Sequence, residues 1–438
     1  MDYLIHPGGA LRGRIRVPGD KSVSHRSIML GAIADGVTHI SGFLEGEDAL
    51  ATMAIFRAMG VRINGPDHGD VTVHGVGLHG LKAPNTVLDC GNSGTAMRLL
   101  TGLLCGQRFD CELTGDDSLR RRPMRRIADP LSRMGARIGT AERGTPPLVI
   151  HGNAGLHGID YALPVASAQV KSALLLAGLY ASGRTCVTEP APTRDHTERM
   201  LQGLGYPVMR DGSMVCVDGG GRLTARDIEV PADISSAAFF MVGASIAPGS
   251  DLLLEHVGVN PTRTGIIDIL RLMGASIDIT NQRDAGGEPV ADIRVRHAPL
   301  HGIAIPEELV PLAIDEFPVL FVAAANAAGR TTLSGAAELR VKESDRIQVM
   351  ADGLQALGVR AQPTPDGMHI DGGGYRGAAV DSHTDHRIAM SFAMAALNAS
   401  AAITVNDCAN VATSFPGFVQ LARSAGLNIE EHDADGKR

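Results

Sequence analysis

The feature that most constrains the fold of this chain is a residue pattern that recurs six times along its 438 residues. Each copy begins with a short polar stretch and an apolar helix, often closed by glycine, and continues with a β-like run, a polar loop and a second, amphipathic helix. The apolar helices lie in "GDKSVSHRSIMLGAIADG", "GNSGTAMRLLTGLLCG", "ASAQVKSALLLAGLYASG", "ADISSAAFFMVGASIAPG", "AIDEFPVLFVAAANAAG" and "HTDHRIAMSFAMAALNAS". A period of about seventy to eighty residues is too long for a solenoid repeat and matches a βαβαββ unit.

Six copies in a chain of this length predict an α/β (α+β) protein with two pseudo-symmetric domains of three units each. The first copy opens after "VPGD" and the fourth after "VPAD", so we place the domain crossings at Gly19–Asp20 and Ala232–Asp233. The predicted domains are residues 20–232 and residues 1–19 together with 233–438. Two crossings at neighbouring points predict a hinge.

Composition excludes several classes of protein. A formal net charge of −8, an aromatic content of 3% and the absence of Trp argue against a nucleic-acid binder. We find no signal-peptide pattern and no apolar run long enough to span a bilayer, so no membrane partner is expected. Six cysteines without a CxxC motif predict reduced thiols in a cytoplasmic protein. We also expect a monomer, because each domain can bury its own helices and sheets.

The least expected polar residues fall at two recurrent places, the start of the first helix and the loop before the second helix. Helix N-termini offer unpaired N–H groups and a positive dipole end, which disfavour cations but receive phosphate or carboxylate groups. The residues are therefore expected to line one anion-binding cleft between the domains. They are Lys21, Ser22, Asn92 to Thr95, Ser167, Gln169, Asp233, Ser235, Asp315, His386 and Arg387 at the first place, and Arg122, Arg194, Arg263, Lys342 and Arg346 at the second.

Each of these clusters has a simpler interpretation. The run "LRRRPMRR" fits a solvated loop, and "LRVKESDR" fits a helix with i,i+3 and i,i+4 ion pairs. Lys171 fits a surface lysine whose stem lies on apolar neighbours. The histidines of "DSHTDHRIAM" lack the HExxH spacing and a nearby cysteine, so no metal site is expected.

Seven motifs together resemble the 5-enolpyruvylshikimate-3-phosphate synthase family. They are "PGDKSVSHR", "GNSGTAMR", "RRRP", "SAQVKSALLLAGL", "TRDHTE", "RVKESDR" and "TDHRIAM", they occur in this order and they span most of the chain. The resemblance implies a two-domain inside-out α/β barrel. It implies transfer of the enolpyruvyl group of phosphoenolpyruvate to the 5-hydroxyl of shikimate 3-phosphate with release of phosphate, in the shikimate pathway. It implies no metal and no organic cofactor.

The resemblance also assigns roles to residues of this sequence. For shikimate 3-phosphate it implies Lys21, Ser22, Arg26, Ser167, Gln169, Arg194, Asp315 and Lys342. For phosphoenolpyruvate it implies Lys21, Gly94, Arg122, Gln169, Arg346 and Arg387. Asp315 is the candidate base for the 5-hydroxyl and Glu343 the candidate proton donor to the methylene carbon, while Lys21 or Lys342 assists proton transfer or stabilises the departing phosphate.

Gly94 bears on inhibition by glyphosate. The sequences "SAQVKSALLLAGL" and "TRDHTE" resemble those of the subgroup that includes glyphosate-tolerant enzymes. Tolerant members of that subgroup have Ala at the position of Gly94 in this chain. The resemblance therefore implies an enzyme that glyphosate inhibits.

Two other functions stay open at this point. A UDP-N-acetylglucosamine enolpyruvyl transferase normally carries a nucleophilic cysteine on the loop that here reads "TGDDSLRRRP", and this loop has none. A non-catalytic protein that binds phosphorylated metabolites would not need Lys21, Asp315, Glu343 and Lys342 together. Phosphate release with both substrates separates an enzyme from a binding protein.

Overall fold

The structure, a computed structural model, describes residues 1–152 and 155–432. Its chain divides into two compact units. We call Gly19–Val230 with Ala285–Glu288 the central unit, and Met1–Pro18 with Pro231–Asp284 and Pro289–Arg438 the terminal unit. Residues 433–438 of the second predicted domain lie outside the described residues.

Twelve α-helices occur in the described part of the chain, and two belong to each predicted copy of the repeat. They are α1 (Lys21–Ile33), α2 (Glu47–Ala58), α3 (Gly94–Cys105), α4 (Arg125–Arg133), α5 (Ala168–Gly178), α6 (His196–Gly203), α7 (Ile234–Ile246), α8 (Gly265–Leu272), α9 (Phe317–Asn326), α10 (Arg346–Ala356), α11 (His386–Ala395) and α12 (Phe418–Ala425). Short 3₁₀ segments lie at Leu119–Arg121, Glu307–Leu309, Ala337–Val341, Ala396–Asn398 and Ala409–Thr413.

The strands are β1 (Asp2–Ile5), β2 (Arg12–Ile15), β3 (Asp35–Ser41), β4 (Arg62–Asp67), β5 (Asp70–Val76), β6 (Leu88–Asp89), β7 (Cys111–Thr114), β8 (Arg137–Gly139), β9 (Leu148–His151), β10 (Asp160–Ala162), β11 (Arg184–Thr188), β12 (Met209–Asp211), β13 (Met214–Asp218), β14 (Ile228–Glu229), β15 (Asp251–Gly258), β16 (Ser276–Ala285), β17 (Glu288–Arg296), β18 (Arg330–Leu333), β19 (Arg360–Thr364), β20 (Gly367–Asp371), β21 (Ala379–Asp381), β22 (Ile403–Asn406) and β23 (Ile429–His432).

These strands form one small sheet per repeat. The central unit has the orders β14-β3-β5-β4, β6-β7-β9-β8 and β10-β11-β13-β12, and the terminal unit has β21-β22-β1-β23, β16-β17-β15-β2 and β18-β20-β19. Five of the sheets carry one parallel edge pair, β14 with β3, β6 with β7, β10 with β11, β21 with β22 and β2 with β15. In the three-stranded sheet, Ala304 makes the corresponding parallel bridge to Thr332. The N-terminal strands β1 and β2 complete two sheets of the terminal unit.

The odd-numbered helices form the interior of each unit. Helices α7 and α9 are buried on all sides, apart from the last residue of α9, as expected of helices that are apolar all round. Helices α7, α9 and α11 contact one another, and α3 contacts both α1 and α5. Each odd helix also packs against a strand of its own repeat's sheet, as α1 does on β5 and α7 on β15. Helices therefore lie inside and sheets outside, and the prediction of six βαβαββ units is confirmed.

The polar openings of the repeats are helix N-caps. The side chains of Asp20, Ser93, Ser167, Asp233 and Asp385 accept hydrogen bonds from backbone N–H groups in the first turns of α1, α3, α5, α7 and α11. Such caps satisfy donors that would otherwise lack a partner, which explains why a polar residue precedes each of these five helices.

The expectation of reduced thiols is wrong for one pair of cysteines. Cys186 on β11 lies directly opposite Cys216 on the antiparallel strand β13, and the two form a disulfide with their Cα atoms 4.1 Å apart. This cross-strand register follows from the sheet and not from the spacing of cysteines in the sequence. The remaining cysteines, Cys90, Cys105, Cys111 and Cys408, are free and buried.

None of the helices found in residues 1–152 and 155–432 is long and apolar enough to cross a membrane.

Candidate active site

The first two turns of α1 carry three predicted site residues of the central unit. Lys21 follows the cap residue Asp20, and its Nζ donates to Oδ2 of Asp48 over 3.0 Å. A cation at a helix N-terminus opposes the helix dipole, and the carboxylate of Asp48 offsets that cost. Ser22 accepts a hydrogen bond at its carbonyl oxygen from Nη1 of Arg26 over 2.9 Å.

Arg26 is buried among hydroxyl groups. Its Nε donates to Oγ1 of Thr197 over 2.7 Å, and its Nη2 donates to Oγ of Ser172 over 3.1 Å. Burial lowers the pKa of Arg26 to about 10, against the opposing effect of the negative charges of Glu198 and Asp20. The guanidinium stays charged at neutral pH, where it can bind an anion.

Two arginines lie against the N-terminus of α3. A Cβ atom at Gly94 would lie 3.0 Å from Nη1 of Arg122 and 3.0 Å from Nη1 of Arg98. Arg122 also donates from Nη2 to Oδ1 of Asn92 over 3.0 Å. Backbone N–H groups at a helix start, together with two guanidinium groups, make a receptor for a phosphate or carboxylate group.

The start of α5 joins the same set of residues. Gln169 accepts at Oε1 from Nη1 of Arg98 over 2.6 Å and donates from Nε2 to Oγ1 of Thr95 over 3.0 Å. Ser167, the cap of α5, accepts at Oγ from Nη2 of Arg126 over 3.1 Å. The structure thus brings the predicted residues of α3 and α5 together within the central unit.

The predicted site residues of the terminal unit converge on Asp315. Its Oδ1 lies 3.3 Å from Nζ of Lys342 and 3.4 Å from Nη1 of Arg346. Arg387 donates from Nη1 to the carbonyl oxygen of Asp315 over 3.0 Å. Glu343 accepts from Nη2 of Arg346 over 2.6 Å. A carboxylate, a lysine and two arginines thus meet beside a second carboxylate, which suits proton transfer next to a bound anion.

Arg346 owes its position to a carboxylate that sequence analysis did not single out. Its side chain is 1% exposed, and its Nε donates to Oδ2 of Asp385 over 2.8 Å. Burial alone would lower the pKa of Arg346, but the charges of Asp385 and Glu343 outweigh it and raise that pKa. Burial alone would raise the pKa of Asp385, but Arg346 outweighs it and holds that pKa below its usual value. Both groups are charged at neutral pH.

Arg263 occupies the corresponding place in the fourth repeat and lies in a buried polar network. It is buried, and its Nη2 donates to Oγ of Ser235 over 2.7 Å and to Oδ1 of Asp233 over 3.2 Å. The same nitrogen lies 3.9 Å from Oε1 of Glu316. Arg263 is thus part of a buried ion-pair network, as Arg346 is, and its contact with an anion stays a prediction.

Sequence analysis missed several buried polar residues behind the predicted ones. The interpretation of Lys171 as a surface lysine is wrong, because its side chain is fully buried between two glutamates. The other missed residues are Asp48, Arg98 and Asp385, which are buried, and Arg126, which is half-buried; all of them except Asp48 lie inside the quoted motifs. A basic or acidic residue at an otherwise apolar helix position was the available signal. Among the described residues, no group of three or more His, Cys, Asp or Glu side chains is arranged to hold a metal ion.

Comparisons with known proteins place this geometry in context. The family model described as EPSP synthase (3-phosphoshikimate 1-carboxyvinyltransferase) matches residues 5–421. The 3-phosphoshikimate 1-carboxyvinyltransferase of Alkalilimnicola ehrlichii is 70% identical over 438 residues, covering 100% of this chain and 98% of that protein. The protein of the same name from Methylococcus capsulatus is 70% identical over 428 residues, with 98% of each covered.

Solved structures show the same likeness. An EPSP synthase structure from Acinetobacter baumannii superposes with a TM-score of 0.89 at 60% identity, covering 98% of this chain and 99% of that one. The enolpyruvyl transferase NikO from Streptomyces tendae superposes with a TM-score of 0.80 at 18% identity, covering 98% of each chain. The second likeness concerns the fold alone.

Proposed function

This chain belongs to the EPSP synthase family, and we propose that the residues described above carry out the family's reaction in it. The chain is a transferase of the shikimate pathway, which serves aromatic amino-acid biosynthesis. It moves the enolpyruvyl group of phosphoenolpyruvate to the 5-hydroxyl of shikimate 3-phosphate and releases phosphate. A UDP-N-acetylglucosamine transferase and a non-catalytic binding protein have no comparable support.

For shikimate 3-phosphate we propose one set of residues from the central unit and one from the terminal unit. They are Lys21, Ser22, Arg26, Ser167, Gln169 and Arg194, and Asp315 with Lys342. The support for the first set is physical: a capping hydroxyl such as that of Ser167 accepts a hydrogen bond from the backbone and still has its own proton to donate.

For phosphoenolpyruvate we propose Lys21, Gly94, Arg122 and Gln169 of the central unit, and Arg346 and Arg387 of the terminal unit. Guanidinium groups bind phosphate and carboxylate in a bidentate manner, and Gly94 leaves space for them at a helix N-terminus. That the two units act on the same pair of substrates stays a prediction, as do the domain boundaries at 20–232 and at 1–19 with 233–438.

The proposed chemistry is addition followed by elimination. The oxygen of the 5-hydroxyl adds to the enol carbon of phosphoenolpyruvate, and Asp315 accepts the proton of that hydroxyl. Glu343 donates a proton to the methylene carbon. In the second step, the carboxylate left on Glu343 takes a proton back from that carbon, the carbon–oxygen bond to phosphate breaks, and the carbon–carbon double bond re-forms as phosphate departs. Lys21 or Lys342 assists the proton transfers or stabilises the departing phosphate, and Arg346 and Arg387 offset the charge that the substrates bring.

The observation that carries this proposal is the convergence of Lys342, Arg346 and Arg387 on Asp315. The test is phosphate release in the presence of both substrates, compared between the wild-type protein and Asp315→Ala. We expect release that requires both substrates and that falls by a factor of about 10² to 10⁴ in the variant, the usual contribution of a positioned base. Equal rates in the two proteins would refute the role of Asp315, and no release from the wild-type protein would refute the function.

We also propose a cytoplasmic monomer that needs no metal and no organic cofactor. For the monomer, the support is that the large apolar side chains exposed in the described residues lie far apart in the sequence: Met1, Val37, Val87, Val165, Met209, Leu272 and Val341. Stable interfaces need larger continuous apolar patches. Light scattering is expected to give a mass near 45.8 kDa, and a mass of twice that value would contradict the monomer.

A further inference from the structure

We propose that Lys171, held between Glu189 and Glu198, is a positioning residue for the binding of shikimate 3-phosphate. It acts through Arg26 and Arg194, so the inference rests on the roles proposed above for those two arginines. From the motif "SAQVKSALLLAGL" alone, we expect this lysine to lie at the surface.

The lysine is the centre of a buried ionic cluster. Its Nζ lies 3.0 Å from Oε2 of Glu189 and 2.7 Å from Oε1 of Glu198. The side chains of Lys171, Glu189 and Glu198 are 0%, 1% and 6% exposed. Buried charges of this kind are tolerated only when paired in good geometry. The cluster therefore holds α5, the end of β11 and α6 in one arrangement.

One lysine leaves the cluster one positive charge short of its two carboxylates. Arg26 on α1 lies near enough to supply one, since the charges of Glu198, Asp20 and Glu288 act to raise the pKa of Arg26, against the stronger effect of burial and the charge of Arg194. The site arginine is therefore part of the same charge balance as Lys171.

Hydrogen bonds extend from this cluster to the guanidinium of Arg26. Ser172 follows Lys171 on α5, and Thr197 precedes Glu198 on α6. The hydroxyl of Thr197 donates to Oγ of Ser172 over 2.8 Å, and each of the two hydroxyls accepts a hydrogen bond from Arg26. The ion pair between Lys171 and Glu198 thus fixes the spacing of the two helices whose hydroxyls hold Arg26.

A second path leads from the cluster to Arg194. The hydroxyl of Thr193 donates to Oε1 of Glu189, and Arg194 is the next residue in the loop before α6. The positive charge of Arg194 lowers the pKa of Arg26, so the two guanidinium groups lie close enough to repel each other. Two repelling cations held in place by a network behind them suit the binding of an anion between them.

The test compares Lys171→Met with a matched control, Lys82→Met, which removes a lysine from an exposed position. Steady-state kinetics give KM for each substrate and kcat, and thermal unfolding gives the melting temperature. We expect Lys171→Met to raise KM for shikimate 3-phosphate by about tenfold to hundredfold, since small misplacements of binding groups have effects of that size. KM for phosphoenolpyruvate should change by less than about threefold, because Gln169 is held by Arg98 and Thr95 of α3 and because Arg346 and Arg387 lie in the other unit. Lys82→Met should match the wild-type protein.

Two further variants separate positioning from stability. Thr193→Val keeps every charge and removes only the hydrogen bond to Glu189, and we expect KM for shikimate 3-phosphate to rise by about tenfold. Lys171→Met combined with Glu198→Gln removes the excess negative charge, so it should recover melting temperature while KM stays raised. A purely structural lysine would lower kcat through the unfolded fraction and leave KM unchanged.

The outcomes are distinct. The inference would be overturned if the wild-type protein is active and both Lys171→Met and Thr193→Val keep KM for shikimate 3-phosphate within about twofold of the wild-type value. Recovery of KM in the double variant would overturn it as well, because charge balance alone would then suffice. If Lys171→Met does not fold, Thr193→Val decides the matter. An inactive wild-type protein would instead refute the proposed function.

Discussion

At the residue scale, the start of α3 shows how one absent side chain shapes a site. Gly94 allows the guanidinium groups of Arg122 and Arg98 to approach a helix N-terminus, where a methyl group would lie 3.0 Å from each. Both neighbours are ends of flexible side chains, so an alanine would displace them without breaking the fold. The substitution is therefore expected to weaken anion binding while it leaves the free energy of unfolding nearly unchanged.

We predict that Gly94→Ala weakens inhibition by glyphosate and raises KM for phosphoenolpyruvate. The inhibition constant is expected to rise by more than about tenfold, because the methyl group and the displaced arginines reduce contacts with the anion. The matched control is Gly373→Ala, at an exposed glycine where an added Cβ meets nothing within 4 Å. Inhibition constants of wild-type and Gly94→Ala proteins that agree would contradict the prediction.

The residue scale also shows the limit of sequence analysis. Lys21, Arg26, Arg122 and Arg346 could be selected because cations at helix starts and before helices break the apolar pattern. Lys171 broke it too, but its burial depends on the positions of β11 and α6, which no local pattern gives. Arg263 had the expected place in the repeat, yet the carboxylates around it come from residues distant in sequence.

At the element scale, His25 joins the first three helices of the central unit. Its Nδ1 lies 2.7 Å from Oγ1 of Thr52 on α2, and its Nε2 lies 3.2 Å from Oγ of Ser93, the cap of α3. Burial, followed by the charges of Lys21 and Arg26, lowers the pKa of His25 from 6.5 to about 3. The imidazole is therefore neutral at physiological pH and can serve both hydroxyls.

This depressed pKa predicts a pH dependence of stability. Below pH 6.5 the unfolded chain binds a proton at His25 that the folded chain refuses, so acid favours unfolding. The contribution of His25 to the free energy of unfolding is fully present above that pH and is lost as the pH falls towards 3. The loss is up to about 1.4 kcal/mol per pH unit. Denaturant titrations of wild-type and His25→Asn proteins across this range measure it, and the variant should show the shallower slope.

The control for this experiment is His68→Asn. His68 is 98% exposed and has a φ of 49°, a conformation that asparagine tolerates. We expect this variant to follow the wild-type curve. Parallel curves for the wild-type and His25→Asn proteins would show that His25 does not titrate as described.

The elements themselves were the most predictable part of the molecule. A capping Asp or Ser before a run of apolar residues is a local signal, and it located five of the six first helices by their caps. Helix α9 lacks a capping side chain and begins with Phe317 and Pro318 instead. The disulfide between Cys186 and Cys216 was not predictable, because it depends on the register of two strands.

At the scale of the whole molecule, repetition explains why candidate anion-binding groups recur along the chain. Each βαβαββ unit contributes a helix start and a loop, and duplication supplies these six times with different side chains. The central unit carries Lys21, Arg26 and Arg122, and the terminal unit carries Asp315 with the cations around it. The proposed function assigns both sets to the same two anionic substrates, whose charges need several cations.

The most direct test of this account is a crystal structure of the protein with shikimate 3-phosphate and glyphosate bound. We predict that Lys21, Arg26 and Gln169 of the central unit, and Asp315 and Lys342 of the terminal unit, lie within hydrogen-bond distance of shikimate 3-phosphate. Arg122, Arg346 and Arg387 should contact glyphosate. Ligands that contact the residues of only one unit, or that bind away from both sets, would contradict the account.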